Sequence, residues 1–172
     1  LGMWRNVVLH ERLPPEPARD GPLPSVLTPG VRAALAARGI ARLYSHQLEA
    51  FELSLAGRDA VIATPTASGK SLCYNLPVLH ALASDPGQAA RALYLFPTKA
   101  LARDQEAQLR SLLQDAGIEQ GAITYDGDTP ADARRAARDR SAVLLTNPDM
   151  LHAGILPHHA AWARLFANPR YV

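Results

Sequence analysis

From residue 59 onward, short apolar runs alternate with longer segments of helical spacing, and this alternation restricts the fold more than any other feature of the chain. The runs fall at 59–64, 91–96, 121–125 and 141–146, each apolar in its middle. Helical segments separate them at 70–84, 98–116 and 130–140, with a shorter one at 148–155. Strands that are apolar throughout are buried on both faces, and strands joined by helical crossovers run parallel. The pattern therefore predicts an α/β fold, a mostly parallel sheet between two helical layers. Tyr171 and Val172 read as the opening of one further strand.

Two amphipathic helices precede the alternation. One spans 29–38, with Val31 and Leu35 on one face and Gly39 as its stop; the other spans 44–56, with Leu48, Phe51 and Leu55 as its stripe and Gly57 as its end. Proline-rich residues 11–24 read as an extended linker. The predicted organisation is an N-terminal extension and linker at 1–24, a helical lead-in at 25–56 and a partial α/β domain at 57–172. No apolar run approaches the length of a membrane span, and residues 7–9 are too short an apolar stretch for a signal peptide. The single cysteine, Cys73, excludes an internal disulfide framework, reads as a small core residue and suits a reducing cytoplasm. A net charge of +2 is too small to indicate a polyanionic partner by itself.

The most informative stretch is 61–71, Val-Ile-Ala-Thr-Pro-Thr-Ala-Ser-Gly-Lys-Ser. An apolar run enters a tight loop of small residues, and Gly-Lys-Ser then opens a helix. Small residues let backbone N–H groups wrap a phosphate chain, and the helix N-terminus faces the anion. In this reading Thr64, Thr66, Ala67, Ser68 and Gly69 form the cradle, Lys70 reaches the terminal phosphates, and the Ser71 hydroxyl holds Mg²⁺. The strict pattern G-x-x-x-x-G-K-[ST] is not met, because position 64 is Thr. Sixteen of the eighteen basic residues are Arg, and the two lysines, Lys70 and Lys99, both fall in motif-like positions. That fits sites needing a compact ammonium instead of a planar fork.

Other clusters read more plainly. His152, His158 and His159 lack a Cys companion and a fourth ligand, so they read as surface histidines and not a zinc site. Arg134, Arg135, Arg138 and Arg140, interleaved with Asp132 and Asp139, read as a solvated helix face. Trp162 and Phe166, four apart, read as core packing.

Residues 64–71 resemble motif I of the superfamily-two DEAD/DEAH-box helicases, which accept Ala or Thr where other phosphate loops have their first glycine. Leu43-Tyr44-Ser45-His46-Gln47 looks like the glutamine motif of that family, which implies that Tyr44 and Gln47 bind the adenine. A Gln amide offers the donor and acceptor that match the adenine N6 and N7 edge. Residues 96–102, Phe-Pro-Thr-Lys-Ala-Leu-Ala, are similar to motif Ia. Residues 125–129, Tyr-Asp-Gly-Asp-Thr, sit where a glycine-containing nucleic-acid loop is usual, and 146–151, Thr-Asn-Pro-Asp-Met-Leu, look like motif Ib. The resemblance implies nucleic-acid contacts from Pro97, Thr98, Lys99, Gly127, Thr146, Asn147 and Pro148. The hydroxyls of Thr98 and Thr146 would then face backbone phosphates.

Together the motifs imply a RecA-like three-layer α/β/α domain, a P-loop NTPase using ATP and Mg²⁺, and the activity of an ATP-dependent helicase. The wording of 71–79 and 146–159 most resembles the bacterial mitomycin-repair helicases of the YprA type, which implies single-stranded DNA as partner and a role in DNA repair. The family's motif II, Asp-Glu-x-His or Asp, is absent; it is expected after the strand that Tyr171 opens. The chain alone should therefore bind ATP without hydrolysing it. A duplex translocase shares the same core. A nucleotide or small-molecule kinase fits less well, since some sixty residues precede the loop.

Overall fold

The computed structural model describes residues 8–9, 11, 17–85 and 90–172, so most of the expected N-terminal extension lies outside the described residues. The described part of the linker ends in a strand, β1 (Asp20–Pro22). Helix α1 (Pro29–Ala37) begins where the Thr28 hydroxyl accepts from Val31 N and proline supplies the first helical φ. It ends at Gly39, with φ +71. Strand β2 (Arg42–Tyr44) pairs antiparallel with β1, and the Arg42–Asp20 ion pair at 2.7 Å closes the ribbon. Helix α2 (Ser45–Leu55) follows directly.

The α/β part continues through α3 (Ser71–Ser84), β3 (Arg91–Leu95), α4 (Lys99–Asp115), β4 (Gly121–Thr124), α5 (Ala131–Arg140) and β5 (Ser141–Thr146). A three-residue α6 (Pro148–Met150), α7 (Ala163–Ala167) and β6 (Pro169–Tyr171) complete it. The four strands β3 to β6 form one parallel sheet in the order β4-β5-β3-β6.

Side-chain alternation along the central strands assigns the two helical layers. Ala92 and Tyr94 of β3 and Val143 and Leu145 of β5 join one core with Val31, Leu35, Leu76, Leu79 and Leu109, on the side of α1, α3 and α4. Leu93 and Leu144 point the other way, into a second core with Ala137, Trp162 and Leu165. The result is the expected RecA-like three-layer arrangement. Helix α1 is docked on the end of α4, where Gly30 admits the Ala116 carbonyl; a Cβ there would lie 2.3 Å from that oxygen. Arg38 bonds to Asp115 and Ser111 across the same contact.

Two expectations are corrected. Residues 59–64 form no strand, and Val61 is 95% exposed. A strand needs a neighbour to satisfy its ladder, however apolar its sequence. Here a cavity of about 650 Å³, lined by Gly57, Asp59, Ile62, Leu93, Leu95 and Tyr171, separates the segment from β3 and β6. Residues 148–155 are also not one helix. After α6 the chain widens into a π-helical turn (Leu151–Ile155) and then tightens into 3-10 turns (Leu156–Trp162). Gly154 lies under the Met150 side chain, and Pro157 cannot supply an N–H to a regular helix.

Candidate functional site

The loop between residue 64 and α3 contains two left-handed residues, Ala67 at φ +62 and Gly69 at φ +76. Left-handed residues at such close spacing turn successive N–H groups into one concavity, the geometry that receives an anion. Glycine adopts this backbone freely, whereas Ala67 holds it at a cost of about 1 kcal/mol. Helix α3 starts directly after the loop, so its positive end adds to the same concavity. The Lys70 ammonium donates to the carbonyls of Thr64 (2.8 Å) and Pro65 (2.6 Å), and Thr64 Oγ1 lies 2.7 Å from Ser68 Oγ. Thr66, exposed, lies on the same loop, and Ser71 is the first residue of α3. A phosphate reaching Lys70 therefore competes with two backbone carbonyls and, for the third N–H, with the Ser68 hydroxyl at 3.4 Å.

The first turn of α2 holds this loop from outside. Gln47, only 5% exposed, accepts from Tyr44 N through Oε1 at 2.9 Å and donates from Nε2 to the Gly69 carbonyl at 3.0 Å. One amide hydrogen and one lone pair remain for a ligand, so the adenine contact expected of Gln47 is still stereochemically available. A Cβ at Gly69 would lie 2.7 Å from Gln47 Nε2, so a side chain there would push on the Gln47 amide and strain the left-handed backbone. His46 lies 3.0 Å from the Ser68 carbonyl and stacks on Tyr44, which is itself largely exposed.

A second group of residues gathers at the C-terminal edge of the parallel sheet, where ligands of open α/β sheets bind. Phe96 N bonds to Thr146 O and Tyr125 N to Leu145 O, so the loops after β3, β4 and β5 are tied edge to edge. Pro97 and Thr98 are exposed, and the Thr98 hydroxyl caps α4 by accepting from Leu101 N at 3.2 Å. Asn147 caps α6 by accepting from Met150 N at 2.7 Å, with Pro148 exposed beside it. Thr146 differs from the expectation: it is 1% exposed and donates to the Tyr125 carbonyl at 2.7 Å, so its hydroxyl ties the end of β5 to the residue after β4.

Lys99, implied by the resemblance as a nucleic-acid contact, is exposed but carries an ion pair. Its ammonium pairs with Asp128 at 2.8 Å, and Arg103 lies 3.1 Å from Asp126 and 3.7 Å from Asp128. The Asp126 carboxylate is buried and accepts from Asp128 N, the Thr129 hydroxyl and Arg103. Burial pushes its pKa up, but those three donors outweigh burial and hold it below the usual carboxylate range. Arg134, read from sequence as part of a solvated face, donates to the Thr129 carbonyl (2.8 Å) and the Gly127 carbonyl (3.1 Å) and sits 5.7 Å over the Tyr125 ring. The loop 125–129 is thus an acidic turn bridged by Lys99, Arg103 and Arg134.

The model of the DEAD/DEAH box helicase family matches residues 44–172, a stretch that includes both groups of residues. The chain belongs to this family. The ATP-dependent helicase YprA of Bacillus subtilis is 48% identical over 167 residues, which are 97% of this chain and 22% of that protein. The ATP-dependent helicase HRQ1 of Saccharomyces cerevisiae is 43% identical over 131 residues, 75% of this chain and 12% of that protein. Among solved structures, the helicase MrfA bound to DNA and AMPPNP superposes with a TM-score of 0.87 at 48% identity, over 91% of this chain and 22% of that chain. The chain thus spans less than a quarter of the length of these helicases. Within this helicase domain, the sequence pattern did not indicate Arg103 or Arg134 as partners of the glycine loop, nor Asp128 as the partner of Lys99. Charge at i+4 spacing within α4 and α5 gives no sign of pairing across loops.

Proposed function

We propose that this chain is the ATP-binding part of an ATP-dependent DNA helicase motor that works in DNA repair. The observation that carries the reading is the left-handed nest at Ala67 and Gly69, opening on α3 and backed by Gln47. YprA, HRQ1 and MrfA, which are ATP-dependent or DNA-bound helicases by name, support it. Gln47 and Tyr44 would read adenine, the loop N–H groups and Lys70 would hold the phosphates, and the Ser71 hydroxyl would ligate Mg²⁺. The nest and helix end fit a polyphosphate. Among the described residues, no three His, Cys, Asp or Glu gather as a metal site, so Ser71 would share the ion with the phosphates themselves. The ion supplies charge neutralisation at the phosphoryl group.

On this reading the residues present hold the nucleotide without turning it over. No Asp-Glu pair stands in the chain to ligate the metal and position water, and Asp126 is held in its own turn. The purified chain is expected to bind a fluorescent ATP analogue and to release phosphate at the background rate. Phosphate release above background that disappears in a Lys70→Ala variant would refute this.

Single-stranded DNA would cross the edge formed by Pro97, Thr98, Lys99, Gly127, Asn147 and Pro148. There Asp128 competes with backbone phosphate for Lys99, so the two charges should be coupled. In single-strand binding each phosphate neutralised contributes about −0.7 to the slope of log affinity against log salt. Lys99→Ala in the native background is expected to make that slope shallower by less than this. In an Asp128→Asn background, where the ammonium is released, the same substitution should show the full change. Anisotropy titrations of labelled single strands over a salt series measure both, and equal changes in the two backgrounds would disprove the coupling.

A further inference from the structure

Two consecutive side chains of α2 hold two consecutive carbonyls of the phosphate loop: His46 that of Ser68, Gln47 that of Gly69, both at 3.0 Å. A carbonyl only accepts, so the imidazole donates from Nε2. In a trans peptide the C=O and the N–H of the following residue lie in one plane and point in opposite directions. Anchoring the Ser68 carbonyl to His46 therefore turns the Gly69 N–H away from α2, to the inner side of the loop. Gln47 does the same for the Lys70 N–H. Gly69 is left-handed and Ala67 is strained, so this segment needs an external restraint to keep its amides converged. His46 is itself fixed by its stack on Tyr44, with ring centroids 5.7 Å apart and planes 12° from parallel.

We propose that His46 is a positioning residue of the nucleotide site: through the Ser68 carbonyl it aims the Gly69 N–H at the polyphosphate. This rests on the loop being a nucleotide site. It adds a residue whose effect must scale with the phosphates, since it touches the loop and not the base.

The test uses the 172-residue chain with three variants, His46→Ala, His46→Gln and His46→Phe, and competes ATP, ADP and adenosine against a fluorescent ATP analogue. Loss of one hydrogen bond to the loop is expected to weaken ATP and ADP about fivefold to tenfold in His46→Ala while leaving adenosine unchanged. The amide of His46→Gln reaches as far as Nε2 and should restore ATP to within about twofold of the native chain. The ring of His46→Phe keeps the stack without the donor and should behave as His46→Ala does. Adenosine serves as the folding control, since a general loss of structure weakens all three ligands alike. An equal loss for all three ligands, native affinity in His46→Phe, or no recovery in His46→Gln would each overturn the proposal. A native chain that binds no ATP analogue would overturn the nucleotide reading, and this proposal with it.

Discussion

Lys70→Ala is expected to weaken binding of an ATP analogue by on the order of a hundredfold or more, the largest functional change available from one side chain here. A unit charge pair at 4 Å is worth about 4 kcal/mol at intermediate dielectric, and part of that is offset by desolvation and by the carbonyl bonds given up. In the structure those bonds are specific: Lys70 donates to Thr64 O and Pro65 O, with which the phosphate competes. The net gain is therefore smaller than the raw pair energy, yet still ample for two decades of affinity, since each decade is about 1.4 kcal/mol. Lys70→Arg separates charge from shape. The planar guanidinium keeps the charge but cannot place it in the loop as the compact ammonium does, so it should recover only part of the loss. Titration of the fluorescent analogue into each variant measures both. Native affinity in Lys70→Ala would remove the phosphate-loop assignment altogether.

The same loop shows what a sequence can and cannot reveal. Gly69 and Lys70 were legible because the constraint is local: a left-handed turn, a helix start and a charge, all within a few residues. The strand expected at 59–64 was not, because its formation depends on a neighbour in the sheet and not on its own apolar pattern; Val61 is exposed beside an unfilled cavity. The strands β3 and β5 were legible for the converse reason. Their neighbours are present, and burial on both faces leaves an unbroken apolar run.

The polar site divides in the same way. Thr98 and Asn147, expected from the resemblance as nucleic-acid contacts, follow strands and cap helices. Thr146 looks identical in sequence but is the last residue of β5, where its hydroxyl is drawn inward to Tyr125. One residue of register decides between cap and core, and periodicity does not resolve one residue. Arg134 and Asp128 escaped for a third reason: their partners lie across loops, so a run of arginines on a helix reads as solvent-facing until the turn at 125–129 folds beneath it. Trp162 and Phe166, read as one helical pair in the core, divide likewise. The first closes the 3-10 turns and is buried, whereas the second belongs to α7 and is only partly covered.

Trp162→Ala is expected to destabilise the chain by about 3–5 kcal/mol, the range for truncating a large buried aromatic. The indole is 1% exposed and meets the Tyr125 ring edge-on, at 4.8 Å between centroids and 83° between planes. With Ile155, Leu165, Leu93 and Leu144 it fills the smaller of the two cores, which lies under the acidic turn. A domain of this kind is commonly stable by about 5–15 kcal/mol in total, so the loss is a large share of the whole. Urea unfolding followed by far-UV circular dichroism is the measurement, because Trp4 would remain as a second fluorophore. Trp162→Phe keeps an aromatic contact with Tyr125 and should cost clearly less. The two-core layout adds an order of failure. The larger core holds α3 and the buried face of α2 that carry the nucleotide loop, so ATP-analogue binding should persist at urea concentrations where single-strand binding has already gone. A change below about 1 kcal/mol in Trp162→Ala, or loss of both ligands together, would show that the smaller core does not support the nucleic-acid edge independently.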